Sequence, residues 1–179
     1  MKTSTKIFAS AAAAVAMFFT TNASAQKLGI GADIGIPTNS AYSFAGGLDA
    51  RIQFNVTKQL SVPITTGYTH FWAKDRYYTA LGENTPDYAY IPLKTGLKYF
   101  LAPSGSGTYI MGEVGAAFGV STDSKTTFLY EPAIGYSWSN GLDVGIKYEN
   151  AGKGDPLSRA TDSGHTGQVA LRIAYGFKL

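Results

Sequence analysis

The chain has no cysteine in its 179 residues, so disulfides are excluded as a source of stability. It is also poor in charge, with 15% Asp, Glu, Lys and Arg, and holds only two histidines, His70 and His165. Long apolar runs are missing. The single candidate, Ile7 to Phe19, is shorter than the roughly 20 residues a membrane-crossing helix needs. Helical periodicity is absent from the rest, which argues against helical bundles and α/β folds. With so little to bind metals or join strands covalently, the fold has to rest on packing and on backbone hydrogen bonds that close on themselves.

What the chain does have begins with a leader. Lys2 and Lys6 precede the apolar run, and Thr20 to Ala25 form a polar stretch ending in Ala23-Ser24-Ala25. This is the pattern of a secretory signal peptide over residues 1–25, with cleavage expected after Ala25 and one domain over 26–179. Without the two leader lysines, Lys plus Arg falls from 15 to 13 against 12 acidic residues. A mature charge of about +1 gives no basis for nucleic-acid binding.

From residue 26 onward the dominant signal is alternation at period two, broken by clusters of Gly, Ser, Asn, Asp and Pro. It predicts eight strands, near 27–36, 44–56, 60–72, 88–101, 108–120, 128–138, 142–150 and 165–177. Their connections alternate, short at 57–59, 102–107 and 139–141, longer at 37–43, 73–87, 121–127 and 151–164. Pro132 falls inside the sixth strand, where loss of a backbone donor suggests a bulge.

One face of every strand is apolar: Leu28, Ile30, Ala32, Ile34 and Ile36 in the first, Val169, Leu171, Ile173, Tyr175 and Phe177 in the last. The other face carries Lys27, Asp33, Asp49, Arg51, Lys94, Lys98, Glu113, Glu131, Asp143, Lys147, Glu149 and Arg172, six basic and six acidic groups. A soluble barrel with a greasy interior would alternate the same way, so size has to decide. The lumen of an eight-stranded barrel is only just wide enough for side chains to fill. The apolar face is crowded with large residues, whereas Gly29, Gly31, Gly35, Gly47, Gly67, Gly96, Gly115, Gly135 and Gly145 lie on the charged face. The charged face is therefore expected inside and the apolar face against lipid, where each Lys or Arg at midplane would cost roughly 2–4 kcal/mol. Aromatics on the apolar face collect near strand ends, as the two interfacial girdles of a membrane barrel do. The fold class expected is an all-β, eight-stranded antiparallel up-and-down transmembrane barrel.

Three segments carry a family resemblance: Tyr90-Ile91-Pro92-Leu93-Lys94-Thr95-Gly96-Leu97-Lys98-Tyr99, Leu142-Asp143-Val144-Gly145-Ile146-Lys147-Tyr148-Glu149, and the ending Leu171 to Leu179. The chain resembles the small bacterial outer-membrane barrels, which include OmpX and the transmembrane part of OmpA, and most of all the Bacteroidetes-type barrels. The resemblance implies location in the cell outer membrane, outer-membrane lipid as surroundings, and the barrel-assembly machinery as a partner during biogenesis. It also implies that Tyr175, Phe177 and Leu179 serve as the assembly signal, although the family commonly ends in an aromatic residue and this chain ends in Leu179.

Function is less constrained. Outer-membrane lipid-modifying enzymes exist on this architecture, and Ser163 lies two residues before His165, but the deacylase pattern runs His-x-Ser rather than Ser-x-His. No catalytic activity, metal or cofactor is expected. The balanced inward charges are expected to pair and plug the lumen rather than form a channel: Arg172 between Asp143 and Asp33, Asp49 near Asp33 with Arg51 sharing the charge, and Glu113 between Lys94 and Lys98. A small gated channel and, more remotely, a soluble lipocalin-like binder are the alternatives. The expected role is structural or surface-interacting, through outer loops in which Arg76, Tyr77 and Tyr78 are candidate contacts for an extracellular ligand.

Overall fold

A computed structural model describes residues 26–74, 86–154 and 165–178. The expected leader over 1–25, the loop candidates Arg76, Tyr77 and Tyr78, and Ser163 and Leu179 lie outside the described residues.

Period-two patterning becomes eight strands: β1 Gln26–Pro37, β2 Tyr42–Asn55, β3 Leu60–Ala73, β4 Tyr88–Phe100, β5 Gly107–Gly119, β6 Thr127–Ser137, β7 Leu142–Asn150 and β8 Gly167–Lys178. Each pairs antiparallel with its neighbour in sequence, and β1 pairs with β8, from Lys27 opposite Lys178 to Pro37 opposite Gln168. The barrel is closed, so no strand edge is left unpaired.

Three connections, 56–59, 101–106 and 138–141, lie at the end that also holds both ends of the barrel chain; we refer to it as the turn end. The opposite, loop end holds 38–41, 74–87, 120–126 and 151–166. The first of these departs from expectation. Instead of a longer loop over 37–43 it spans four residues, because β1 runs on through Pro37 and β2 begins at Tyr42. Asn39 makes that tightness possible by accepting the Ala41 N–H on its side chain at 3.0 Å, a local turn that Asn forms readily.

The bulge expected at Pro132 is also absent. Pro132 stands opposite Gly112 in an uninterrupted β5–β6 register. Toward β7 the ladder passes from Tyr130 opposite Asn150 to Ala133 opposite Lys147, so rungs are skipped but no residue is inserted. Pro63 and Pro92 coincide with similar openings between β3 and β4. A proline removes a donor without changing the residue count, and the intact ladder on its other side keeps the register. The register shift that does occur lies between Tyr42 and Phe44.

Outward side chains are apolar and open, with Ile36 at 77% exposure, Leu48 at 67% and Phe128 at 64%. Rings pair on this surface near both ends: Phe44 stacks on Trp72 at 4.1 Å near the loop end, and Tyr136 meets Trp138 at 4.6 Å near the turn end. The charged residues point the other way.

Candidate functional site

The lumen holds the chemistry. Of the charged candidates, Asp33, Arg51, Lys94, Lys98, Glu113, Glu131, Asp143, Lys147, Glu149 and Arg172 are buried within it, and Asp49 is half-buried. They form two connected groups. The deeper one joins Arg51 to Glu113 at 3.0 Å and Glu131 at 3.9 Å, and Lys94 to Glu131 and Glu149. Lys147 completes it through Asp33 at 3.1 Å, Glu131 at 3.4 Å and Glu149 at 3.7 Å. Neutral donors satisfy further oxygens, Tyr90 Oη and Gln168 Nε2 on Glu149 Oε1 and Thr65 Oγ1 on Glu113. The second group, nearer the turn end, contains Arg172, Asp49, Asp143 and Lys98. Arg172 donates Nε at 2.7 Å and Nη2 at 2.5 Å to the two Asp49 oxygens. Lys98 and Tyr109 both donate to Asp143, at 2.6 and 2.8 Å, and Lys98 Nζ lies 3.7 Å from the Tyr109 ring centre.

Small residues make these reaches possible. A Cβ on Gly31 would sit 2.7 Å from Arg172 Nη2, so the arginine crosses β1 where β1 has no side chain. Gly135 and Gly145 leave the corresponding space for Tyr109 Oη.

Above the charges, the loop end is filled by Tyr42, Phe71, Tyr88, Tyr90 and Leu129 with Ala41, Ala45, Ala117 and Ala151. Phe71 and Tyr90 lie 6.0 Å apart between ring centres, and both are fully buried. Below the charges, toward the turn end, a cavity of about 360 Å³ is lined by Lys27, Arg51, Lys98, Asp143 and Arg172 among others. The lumen thus has three levels: an apolar cap, an ionic middle and a water-accessible mouth.

With strand number, closure and lumen in view, comparison with solved structures is informative. The protein shares the fold of the small eight-stranded outer-membrane barrels. Ail, the attachment invasion locus protein of Yersinia pestis, matches with TM-score 0.56 and 16% identity, over 86% of this chain and 98% of Ail. Neisserial surface protein A matches with TM-score 0.51 and 17% identity, over 85% and 97%. The N-terminal β-barrel domain of Pseudomonas aeruginosa OprF gives 0.50 and 15%, over 86% and 100%. No protein-family model matches the chain, and no curated protein matches it in sequence. Ail has also been solved with the heparin analogue sucrose octasulfate.

The barrel's ionic partners differ from those expected in three respects. Arg172 lies between Asp49 and Asp143, the latter at 3.5 Å from Nη1. Asp33, although directly opposite Arg172 in register, turns to Lys147. Arg51 makes its direct ion pair not with Asp49 but across the lumen with Glu113. Glu113 stands opposite Gly96, between Lys94 and Lys98, yet its carboxylate meets Arg51 and Thr65 instead. The common cause is length: side chains of four or more bonds select partners across the lumen, not along the ladder.

The aromatic cap went unrecognised in the sequence, although a signal was there. Tyr88 and Tyr90 share the parity of Lys94 and Lys98, Leu129 that of Glu131, and Phe71 that of Thr65. Of the other candidates, Tyr175 and Phe177 face outward and meet edge to face at 5.0 Å. His70 lies on the outer surface with its ring nitrogens 3.1 Å from Tyr68 Oη and from Asp87 Oδ2. No serine hydroxyl bonds that ring among the described residues, and His165 is exposed.

Proposed function

We propose that this protein is an integral outer-membrane barrel without catalytic activity, which serves envelope structure or surface interaction through its loops. The observation that carries this reading is the inversion of polarity: between the rims, the Asp, Glu, Lys and Arg side chains of the described strands face the lumen while Ile, Leu, Phe, Tyr and Trp cover the outside. In water such an exterior would be an aggregation hazard, and in a bilayer it is the required solvent contact. Strands of 9 to 14 residues suffice, since a tilted crossing needs about 9–11. The orientation proposed puts the three turns in the periplasm and the 74–87 and 151–166 loops outside.

Loop-borne interaction is supported by the length of those two loops and by an attachment invasion locus protein using a similar fold. A fold alone does not confer that role. Export through a cleaved leader over 1–25, delivery to the barrel-assembly machinery through Tyr175, Phe177 and Leu179, and a Bacteroidetes-type affiliation belong to the same proposal. The lumen charges serve as a structural plug within it.

Cell fractionation tests the central point. The protein should sediment with outer membranes, resist carbonate extraction, and migrate differently on SDS gels before and after boiling. Recovery in the soluble periplasmic fraction would overturn the membrane reading. Whole-cell binding assays with the 74–87 and 151–166 loops individually shortened then test the loop role, which fails if neither change alters attachment.

A further inference from the structure

Among the described side chains, the twelve inward charges balance overall, but not level by level. The deeper group sets Arg51, Lys94 and Lys147 against Asp33, Glu113, Glu131 and Glu149, an excess of one negative charge. The second group, Arg172 and Lys98 with Asp49 and Asp143, is neutral. The compensating positive charge is Lys27, which lines the turn-end cavity and has no ion pair among the described residues.

Within this cavity the cations keep unused donors. Arg51 commits Nε to Thr65 and Nη2 to Glu113, and neither bond uses Nη1. Arg172 commits Nε and Nη2 to Asp49, leaving Nη1 only the 3.5 Å approach to Asp143. Asp143, the one carboxylate on the lining, already accepts from Lys98 and Tyr109. Four cations and one occupied carboxylate therefore surround about 360 Å³ of accessible space. Guanidinium groups buried at 4 and 5% exposure offer fixed, poorly hydrated donors suited to planar or tetrahedral oxyanions.

We propose that the turn-end mouth of the lumen is a binding site for a small oxyanion of the phosphate class. Arg51 and Arg172 provide the inner donors and Lys27 the outer charge. The site does not depend on the membrane reading; only its assignment to the periplasmic side does. A soluble ion is favoured over a lipid headgroup because the donors, Arg51, Lys98 and Arg172, are buried in the lumen, while Trp138, Tyr175 and Phe177 of the outward face reach only the rim of the cavity.

The test uses protein isolated from membranes in an uncharged, phosphate-free detergent, with inorganic phosphate and pyrophosphate as probes. Calorimetry and phosphorus NMR should show saturable binding. Lys27→Gln removes an unpaired charge and should weaken binding about tenfold, the equivalent of one charge-assisted hydrogen bond. Gly29→Asp is the second variant: a Cβ there meets nothing closer than 3.7 Å, so the carboxylate can enter the cavity and should abolish binding. Gly29→Asn, of similar size and no charge, should bind more tightly than Gly29→Asp. Unchanged heat-dependent gel mobility would show that each variant is folded. Adding a zwitterionic phospholipid to the uncharged, phosphate-free micelles should leave phosphate affinity unchanged; its loss there would assign the site to a lipid headgroup and overturn the soluble-ion proposal. Absence of saturable binding to the unsubstituted protein, or binding by the Lys27→Gln and Gly29→Asp proteins as tight as that of the unsubstituted protein, would also overturn it.

Discussion

At the scale of single residues, the Arg172–Asp49 pair shows how the lumen is held. The guanidinium and carboxylate meet in a two-bond fork that fixes both, with β1 passing between their strands at Gly31. Truncating one member of a buried pair leaves the other charge without compensation, at about 3–5 kcal/mol. Arg172→Ala should lower the free energy of urea-induced unfolding by that amount, and adding Asp49→Ala should recover part of it. A loss below about 1 kcal/mol would mean that lumen water already screens the pair, as it does exposed ion pairs. Gly31→Leu approaches the same interaction from the other side, since any Cβ there intrudes on Arg172. Its destabilisation should be markedly non-additive with Arg172→Ala, because both changes remove one contact. Additive losses in unfolding measurements would show that Gly31 matters for something other than the path of the arginine.

At the scale of strands, closure is the step on which the others depend. The last residues of β8 supply the rungs from Ile30 opposite Tyr175 to Lys27 opposite Lys178, and Tyr175 also pairs with Leu142 on β7. Deleting residues 175–179 therefore opens the turn end of the seam as well as removing the terminal aromatics. The truncated chain should fail to insert, as read by loss of heat-dependent gel mobility and of outer-membrane recovery; normal insertion would remove the assembly role proposed for Tyr175 and Phe177. Strand positions were legible in the sequence to within two residues because a one-residue slip would turn every charge outward. Connection 38–41 was misread because β1 and β2 continue past the point where alternation stops: Pro37 stands opposite Gln168 on β8, and Tyr42 stands opposite Ala73 on β3 and is buried in the cap. The candidate site was legible as a set of inward residues and not as a set of partners. Alternation fixes the side of the sheet, whereas Arg51 meeting Glu113 depends on barrel diameter and side-chain length, neither of which has a local sequence signature.

At the scale of the molecule, the lumen is closed twice, by different physics. Tyr42, Phe71, Tyr88, Tyr90 and Leu129 exclude water by packing at the loop end, and the ion pairs fill the middle. The two barriers answer to different substitutions. Phe71→Ala removes a fully buried ring and should cost about 3–5 kcal/mol, yet it leaves every ionic contact below it in place. Planar-bilayer recordings should accordingly show no steady conductance for the unsubstituted protein or for Phe71→Ala. Combining Phe71→Ala with Lys94→Met and Glu149→Gln breaches both levels, because Lys94 and Glu149 bond each other and Tyr90 Oη joins Glu149 to the cap. That triple variant, if still folded by gel mobility, should pass small ions. Steady conductance through the unsubstituted protein would instead mean that the ionic layer opens without mutation. The lumen would then be a pathway rather than a plug, and the pairs between Lys94, Lys147, Glu131 and Glu149 would be the place to look for its gate.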